Sequence, residues 1–418
     1  MSSTRLALAA ALALVAAAAP AAAKKPDAAP AAAAGAVDSK NLSKGVRAPL
    51  QEAQKLEGAG DLPGALAQVR LAEAVPGLNS TDQFFIAQMK LGIASKTKDN
   101  ALMTEALKSS VSSEFLPATV KAKYVRNLAS LALQANDYDG ATHYYEQLAA
   151  MTPNDTEVMT NLAVLYERQK QHGPAIATLK KAIAAAKANG KPADENVYRT
   201  ELKIAVDAKM PAETQAAAME LIAAYPNPTN WRDALLLYRD AQSPKLDDQG
   251  NLDVFRLMDA AGALNGERDY SEYVETAIGK GLPGEAKAVL TEGVQKGMVS
   301  SSKPYIVEYN KSIATRLAAD KAGMAASDKE ARGSANGKTA LGQGDAYYGY
   351  GEYTKSAEMY RLALGKGGVD ASTANLRLGA ALARGGDKAG AATAFAAVNS
   401  GPRVTLAQYW TAWLATKA

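Results

Sequence analysis

The chain has 418 residues, 48% of them hydrophobic and 22% charged, with a formal net charge of +4 and no cysteine. This is globular composition with ample apolar material for a core, and a repeat array can spread such a core along one axis. The small net charge and the absence of long Lys/Arg runs exclude the basic surface of a nucleic-acid binder, and the lack of cysteine removes disulfides, thiol nucleophiles and cysteine–zinc sites.

In chain order, residues 1–23 read as a secretory signal. Arg5 gives a positive start, Leu6 to Ala19 is an apolar stretch too short to span a bilayer comfortably, and Ala21-Ala22-Ala23 offers a small-residue cleavage site. No later apolar stretch is long enough to cross a membrane, and without cysteine the lipid of a bacterial lipoprotein has no attachment point. The expected product is soluble and periplasmic, cleaved near Ala23, with no transmembrane insertion. Residues 24–45 follow as a disordered Ala/Pro-rich tether without amphipathic period.

Residues 46–300 change to paired helices with short turns. In Val158 to Gln169, apolar Val158, Leu162, Leu165 and Tyr166 recur at three- and four-residue steps, which places them on one helical face. Gly173-Pro174 punctuates the chain; Ala175, Ile176, Leu179, Ala182 and Ile183 form the inward face of a second helix, and Asn189-Gly190 stops it. Residues 301–338 begin as helix, turn polar around Gly333 to Gly337, and read as an irregular helical joint. Residues 339–404 return to paired helices. Residues 405–418, with Tyr409, Trp410, Trp413 and Leu414, read as a capping helix over an otherwise open repeat face.

The segment Asn127-Leu128-Ala129 recurs as Asn161-Leu162-Ala163, and Ala141 recurs as Ala175 at the same interval, which is about the 34-residue period of a helix–turn–helix unit. Val125, Leu128, Ala129, Ala132, Tyr138, Ala141, Tyr145, Leu148 and Pro153 resemble the tetratricopeptide-repeat family pattern. So do Met159 to Leu179, Gly344 to Ala363, and Leu378 to Val398. The resemblance is specific in these four copies and approximate elsewhere between about 45 and 400. It implies an all-α fold, an α-solenoid of stacked helix pairs wound as a right-handed superhelix. Small residues belong where two helices cross closely, and one pair cannot bury its apolar stripe without a neighbour.

No catalytic constellation, cofactor motif or metal motif emerges. His143 and His172 lie outside any metal-spaced pattern. Gly342-Gln-Gly344 lacks the continuation of a phosphate loop, and Gly344 reads as the small residue of a helix crossing. Asp247-Asp248 and Asp253 lack the ordered ligands and closing Glu of a calcium loop and read as a solvated acidic loop. Superhelical lytic transglycosylases pair a helical ring with a lysozyme-like domain, but nothing after residue 339 resembles that domain.

In the family, first helices line a concave surface on which partner peptides lie. Carried over, the groove positions are Lys123, Arg126, Asn127 and Ser130 in one repeat, Asn161, Val164 and Arg168 in the next, then Arg199 and Lys203. Asn can donate to and accept from a ligand backbone, and Arg and Lys can pair with carboxylates. This is similar to the carboxylate clamp of repeat domains that hold chaperone tails, with departures at Ser130, Asn196 and Thr200. The sequence thus predicts a non-enzymatic exported adaptor binding protein or peptide segments through Lys123, Arg126, Asn127, Asn161, Arg168, Arg199 and Lys203. The alternative is a cell-envelope glycan binder, or an accessory to a cell-wall enzyme, stacking sugars on Tyr348 and the terminal Trp pair.

Overall fold

The structure, a computed structural model, describes residue 37, residues 39–243 and residues 245–417. The signal sequence and most of the Ala/Pro-rich tether lie outside the described residues. The end of the tether is not disordered, since Ser39–Asn41 form a 3₁₀ turn, Ser43 bonds Asp82 and a helix begins at Lys44. Those described form α-helices and one short 3₁₀ turn at Ser39–Asn41, with no strand among them.

Two compact units meet between Ile204 and Ala205. The first holds α1 (Lys44–Gly58), α2 (Leu62–Glu73), α3 (Ser80–Thr97), α4 (Asn100–Val111), α5 (Ala118–Gln134), α6 (Tyr138–Met151), α7 (Thr156–Arg168), α8 (His172–Ala188) and most of α9 (Glu195–Asp207). The second holds α10 (Pro211–Ala224), α11 (Pro228–Gln242), α12 (Asp248–Ala260), α13 (Gly266–Gly279), α14 (Pro283–Gln295), α15 (Pro304–Gly333), α16 (Lys338–Gly349), α17 (Tyr353–Lys366), α18 (Ala371–Arg384), α19 (Lys388–Ala396) and α20 (Arg403–Ala415).

Eight of the helix pairs turn through a left-handed residue followed by the cap of the second helix. Gly60, Lys98, Asn136, Lys170, Lys209, Gly281, Gly351 and Gly386 all have positive φ. In three turns an Asp follows and accepts from the backbone N–H of a glycine: Asp61 from Gly64, Asp137 from Gly140 and Asp387 from Gly390. Such caps satisfy helix N–H groups that have no intrahelical partner.

In the first unit, small side chains let the paired helices approach. Ala53, Ala65, Ala129, Ala141, Ala163 and Ala175 are fully buried. Val125, Tyr145, Leu148, Val158, Leu162 and Leu165 fill one continuous cluster across α5 to α7. In the second unit glycine takes the small position. A Cβ on Gly344 would lie 2.6 Å from the Tyr360 ring, and one on Gly379 would lie 2.4 Å from the Phe395 ring. Gly344 is thus the helix-crossing residue its spacing predicts.

Three further features differ from the sequence reading. Residues 301–338 lie within the second unit, and Pro304–Gly333 there form one helix of 30 residues. Its apolar period is faint because only Ile306, Ile313 and Ala331 are buried. Asp253 is not part of a solvated acidic loop but sits buried inside α12. Tyr409, Trp410, Trp413 and Leu414 of α20 are buried as a cap requires, yet the helix also packs on earlier helices of its unit. Tyr238 Oη donates to the Pro402 carbonyl at 2.8 Å and Trp413 Nε1 to the Ala260 carbonyl at 3.0 Å.

Candidate functional site

The predicted groove residues all lie on first helices of the first unit. Their helices are held by Leu128, Ala129, Leu162 and Ala163, which point into the core and are at most 5% exposed. Lys123 and Arg168 are exposed, whereas Arg126, Asn127, Asn161, Arg199 and Lys203 are half-buried. None of these polar side chains is needed to fill the core.

The structure gives several of them acidic or aromatic partners. Arg126 Nη2 lies 2.6 Å from Asp155 Oδ2, which ties α5 to the start of α7. Asp155 also caps α7 by accepting from the Val158 N–H at 3.1 Å. Arg199 Nε donates to Glu195 Oε1 at 3.0 Å, one helical turn away. The Arg168 guanidinium stacks 4.1 Å from the Tyr138 ring centroid, at the turn between α5 and α6. The Asn161 amide reaches the Tyr145 hydroxyl at only 3.5 Å, a weak contact that leaves it able to exchange partners. Val164, next along the same helix, is 47% exposed.

The face is therefore a mixed one. Asp155 and Glu195 balance two of the predicted cations, whereas Lys123 and Arg168 are exposed. Both acids carried a signal in sequence: Asp155 stands at a helix start, and Glu195 sits four residues before Arg199.

The equivalent face of the second unit is filled. Arg377 precedes Gly379 as Asn127 precedes Ala129, and Asp345 follows Gly344 as Ser130 follows Ala129. Instead of facing solvent, both side chains are buried against α12. Arg377 bonds Asp253 Oδ1 at 2.8 Å and Asp345 Oδ2 at 2.7 Å. Arg256 forms a two-pronged pair with Glu285 at 2.8 and 2.7 Å and bonds Asp345 Oδ1 at 2.9 Å. Arg403 closes the chain on Asp253 Oδ2 at 2.8 Å, and the Tyr273 and Tyr360 hydroxyls donate to Glu285 and Asp345 at 2.7 Å.

Three cations thus meet three carboxylates with matched geometry, the condition under which buried charge is tolerated. Burial opposes charge on Arg256 and Arg377, but the facing carboxylates outweigh it and hold both well into the protonated range. Burial would raise Asp253, yet Arg377 and Arg403 bring it below the usual carboxylate range. At the rim, burial pushes Asp259 up to about 6, with Arg384 pulling down and Glu292 adding to the rise.

The aromatics named for sugar stacking are unavailable. Tyr348 is buried with its ring under the Arg256 guanidinium, and Trp410 and Trp413 are buried in the α20 packing. Tyr350 donates to Asp320 at 2.5 Å. Among the described residues no group of three or more His, Asp or Glu side chains is arranged to hold a metal, and no described helix is long and apolar enough to cross a membrane. His143 is exposed beside Tyr144 and Gln147, and His172 opens α8.

Two segments, residues 132–192 and 341–403, match models described as tetratricopeptide repeat. No curated protein matches the sequence. Among solved structures, a tetratricopeptide repeat protein from Parabacteroides merdae ATCC 43184 is 11% identical. That match covers 81% of this chain and 100% of that one at a TM-score of 0.25. The pentatricopeptide repeat protein PPR10 from maize is 15% identical over 87% of this chain and 61% of that one, at a TM-score of 0.27. BtubC (BKLC) from P. vanneervenii is 13% identical over 62% and 92%, at a TM-score of 0.26.

Proposed function

We propose, from the premise that this chain is a tetratricopeptide-repeat protein, that it is a non-enzymatic scaffold whose first unit captures segments of other proteins. The observation that carries the proposal is the contrast between equivalent positions. Asn127 and Asn161 remain on an accessible face of the first unit, while Arg377 at the same register of the second is locked into a buried ion-pair network. A preformed surface of this kind binds by several modest contacts with little ordering cost to the scaffold.

The recognising residues are Lys123, Arg126, Asn127, Asn161, Arg168, Arg199 and Lys203. Asn127 and Asn161 offer paired donors and acceptors to an extended backbone, and Val164 adds an apolar contact. Arg126 and Arg199 would exchange Asp155 and Glu195 for a partner carboxylate, so acidic groups on the partner compete with internal acids. The place of action is outside the cytoplasm, in the periplasm, an inference that rests on Arg5, the apolar stretch Leu6 to Ala19 and the alanines before Lys24.

Replacing Arg126, Asn161 and Arg199 together by Ala tests the surface. Capture of partners from envelope extract by the immobilised protein should drop while the far-ultraviolet dichroism stays that of the parent. Undiminished capture would count against this face. The glycan alternative loses support from the burial of Tyr348, Trp410 and Trp413; co-sedimentation with purified cell wall would revive it.

A further inference from the structure

Residues just before α1 lie along the first repeats and are held by contacts that read their backbone. Arg47 Nη2 of α1 donates to the carbonyls of Lys40 at 3.0 Å and Leu42 at 3.2 Å. Asn79 Nδ2, at the start of α3, donates to the Asn41 carbonyl at 3.3 Å. The Ser43 N–H and hydroxyl donate to the two oxygens of Asp82 at 2.9 and 2.6 Å. Asp82 is fully buried, and its carboxylate also receives the Asn79 N–H at 3.1 Å.

Two apolar side chains anchor the same segment. Leu42 packs on the cluster of α1 to α4, and Val37, 9% exposed, joins the cluster that contains Phe84 of α3 and Tyr124 of α5. The segment forms one wall of a recess of ≈ 300 Å³ through Ser39, Lys40 and Leu42; the rest is lined by Arg47, Leu50, Gln51 and Gln54 of α1 and by Phe85 and Met89 of α3. Arg47, Leu50, Gln51 and Gln54 stand around Ala53 as Lys123, Arg126, Asn127 and Ser130 stand around Ala129. The recess is therefore the first-repeat part of the same groove face.

We propose that this part of the groove is a peptide site whose occupants in the resting protein are the chain's own Val37 and Ser39–Ser43. The site takes a segment with two aliphatic anchors, a 3₁₀ turn at Ser39–Asn41 between them and a hydroxyl residue after the second. Arg47 and Asn79 donate to its backbone carbonyls, and Asp82 accepts from the hydroxyl and the backbone N–H of that same hydroxyl residue. The proposal rests on the reading of the first helices as a binding face and adds an internal competitor at one end of it. The hydrogen bonds from Ser43 and Asn79 outweigh the cost of burying Asp82 and hold its carboxyl below the usual range, so the latch is charged at neutral pH.

The absence of cysteine makes the test direct. In full-length protein, Val37→Cys carries the only thiol. It should react with a thiol dye about tenfold more slowly than the exposed control Leu71→Cys, which lies outside the recess, since the docked segment must open first. Adding Ser43→Ala should speed the reaction. A thiol at 37 as reactive as the control overturns the proposal.

The second arm uses a fluorescein-labelled synthetic peptide of residues 37–43 with full-length Val37→Ser/Leu42→Ser protein. Binding should be about tenfold tighter than to the parent, whose site is filled, and adding Arg47→Ala should remove the gain. Equal binding to parent and variant overturns it. Neither arm uses an outside partner, so failure here is separate from failure of capture through Arg126, Asn161 and Arg199.

Discussion

The left-handed residue that turns eight of the helix pairs shows how much one position can decide. Gly60, Gly281, Gly351 and Gly386 meet the requirement without a Cβ, whereas Lys98, Lys170 and Lys209 carry one into a region that disfavours it. Lys98 is exposed, with φ of 57° and ψ of 32°, so its replacement loses no packing. Lys98→Gly should stabilise the first unit by about 0.5–1 kcal/mol, the strain relief less the entropy of glycine, read as a higher thermal midpoint by circular dichroism. Unchanged or lower stability would show that the turn is not strained. At this scale the sequence was informative: Gly60-Asp61 and Gly386-Asp387 announce both turn and cap. The two small residues Gly344 and Gly379 announce a helix crossing. Glu195 stands one helical turn before Arg199, but that Asp155 would sit beside Arg126 was harder to see. Asp155 lies 29 residues from Arg126, and only the fold brings them together.

At the scale of elements, helix pairing follows from local period, but what each pair faces does not. The packing of α12 against α16, α18 and α20 brings Asp253 to Arg377 across 124 residues of sequence. No helical period encodes that meeting, so Asp253 resembled a loop acid. The faint period of α15 misled in the other direction, because a helix docked by one narrow stripe looks irregular. The network gives a sharp expectation. Arg377→Ala leaves Asp253 and Asp345 short of a partner in the interior and should destabilise the second unit by about 3–5 kcal/mol. Trp231, Trp410 and Trp413 all lie in that unit, so tryptophan fluorescence during urea unfolding follows it alone. A midpoint equal to the parent's would mean that the network contributes nothing.

For the whole molecule, the account assigns different work to two sets of similar repeats. The repeat period made the architecture legible, since the spacing of Leu128-Ala129 and Leu162-Ala163 is dictated by packing that every pair shares. Function was less legible because it depends on residues that packing leaves unconstrained, and on whether the face bearing them is open or filled. Asn161 and Arg377 hold the same register and have opposite surroundings. The most direct measurement is photocross-linking from a photoreactive residue placed at Asn161, with the same residue at exposed Val307 in the second unit as control. The account predicts discrete protein adducts from position 161, diminished by Arg126→Ala, and none of those adducts from 307. Adducts of equal yield from both positions, or from 307 alone, would contradict it.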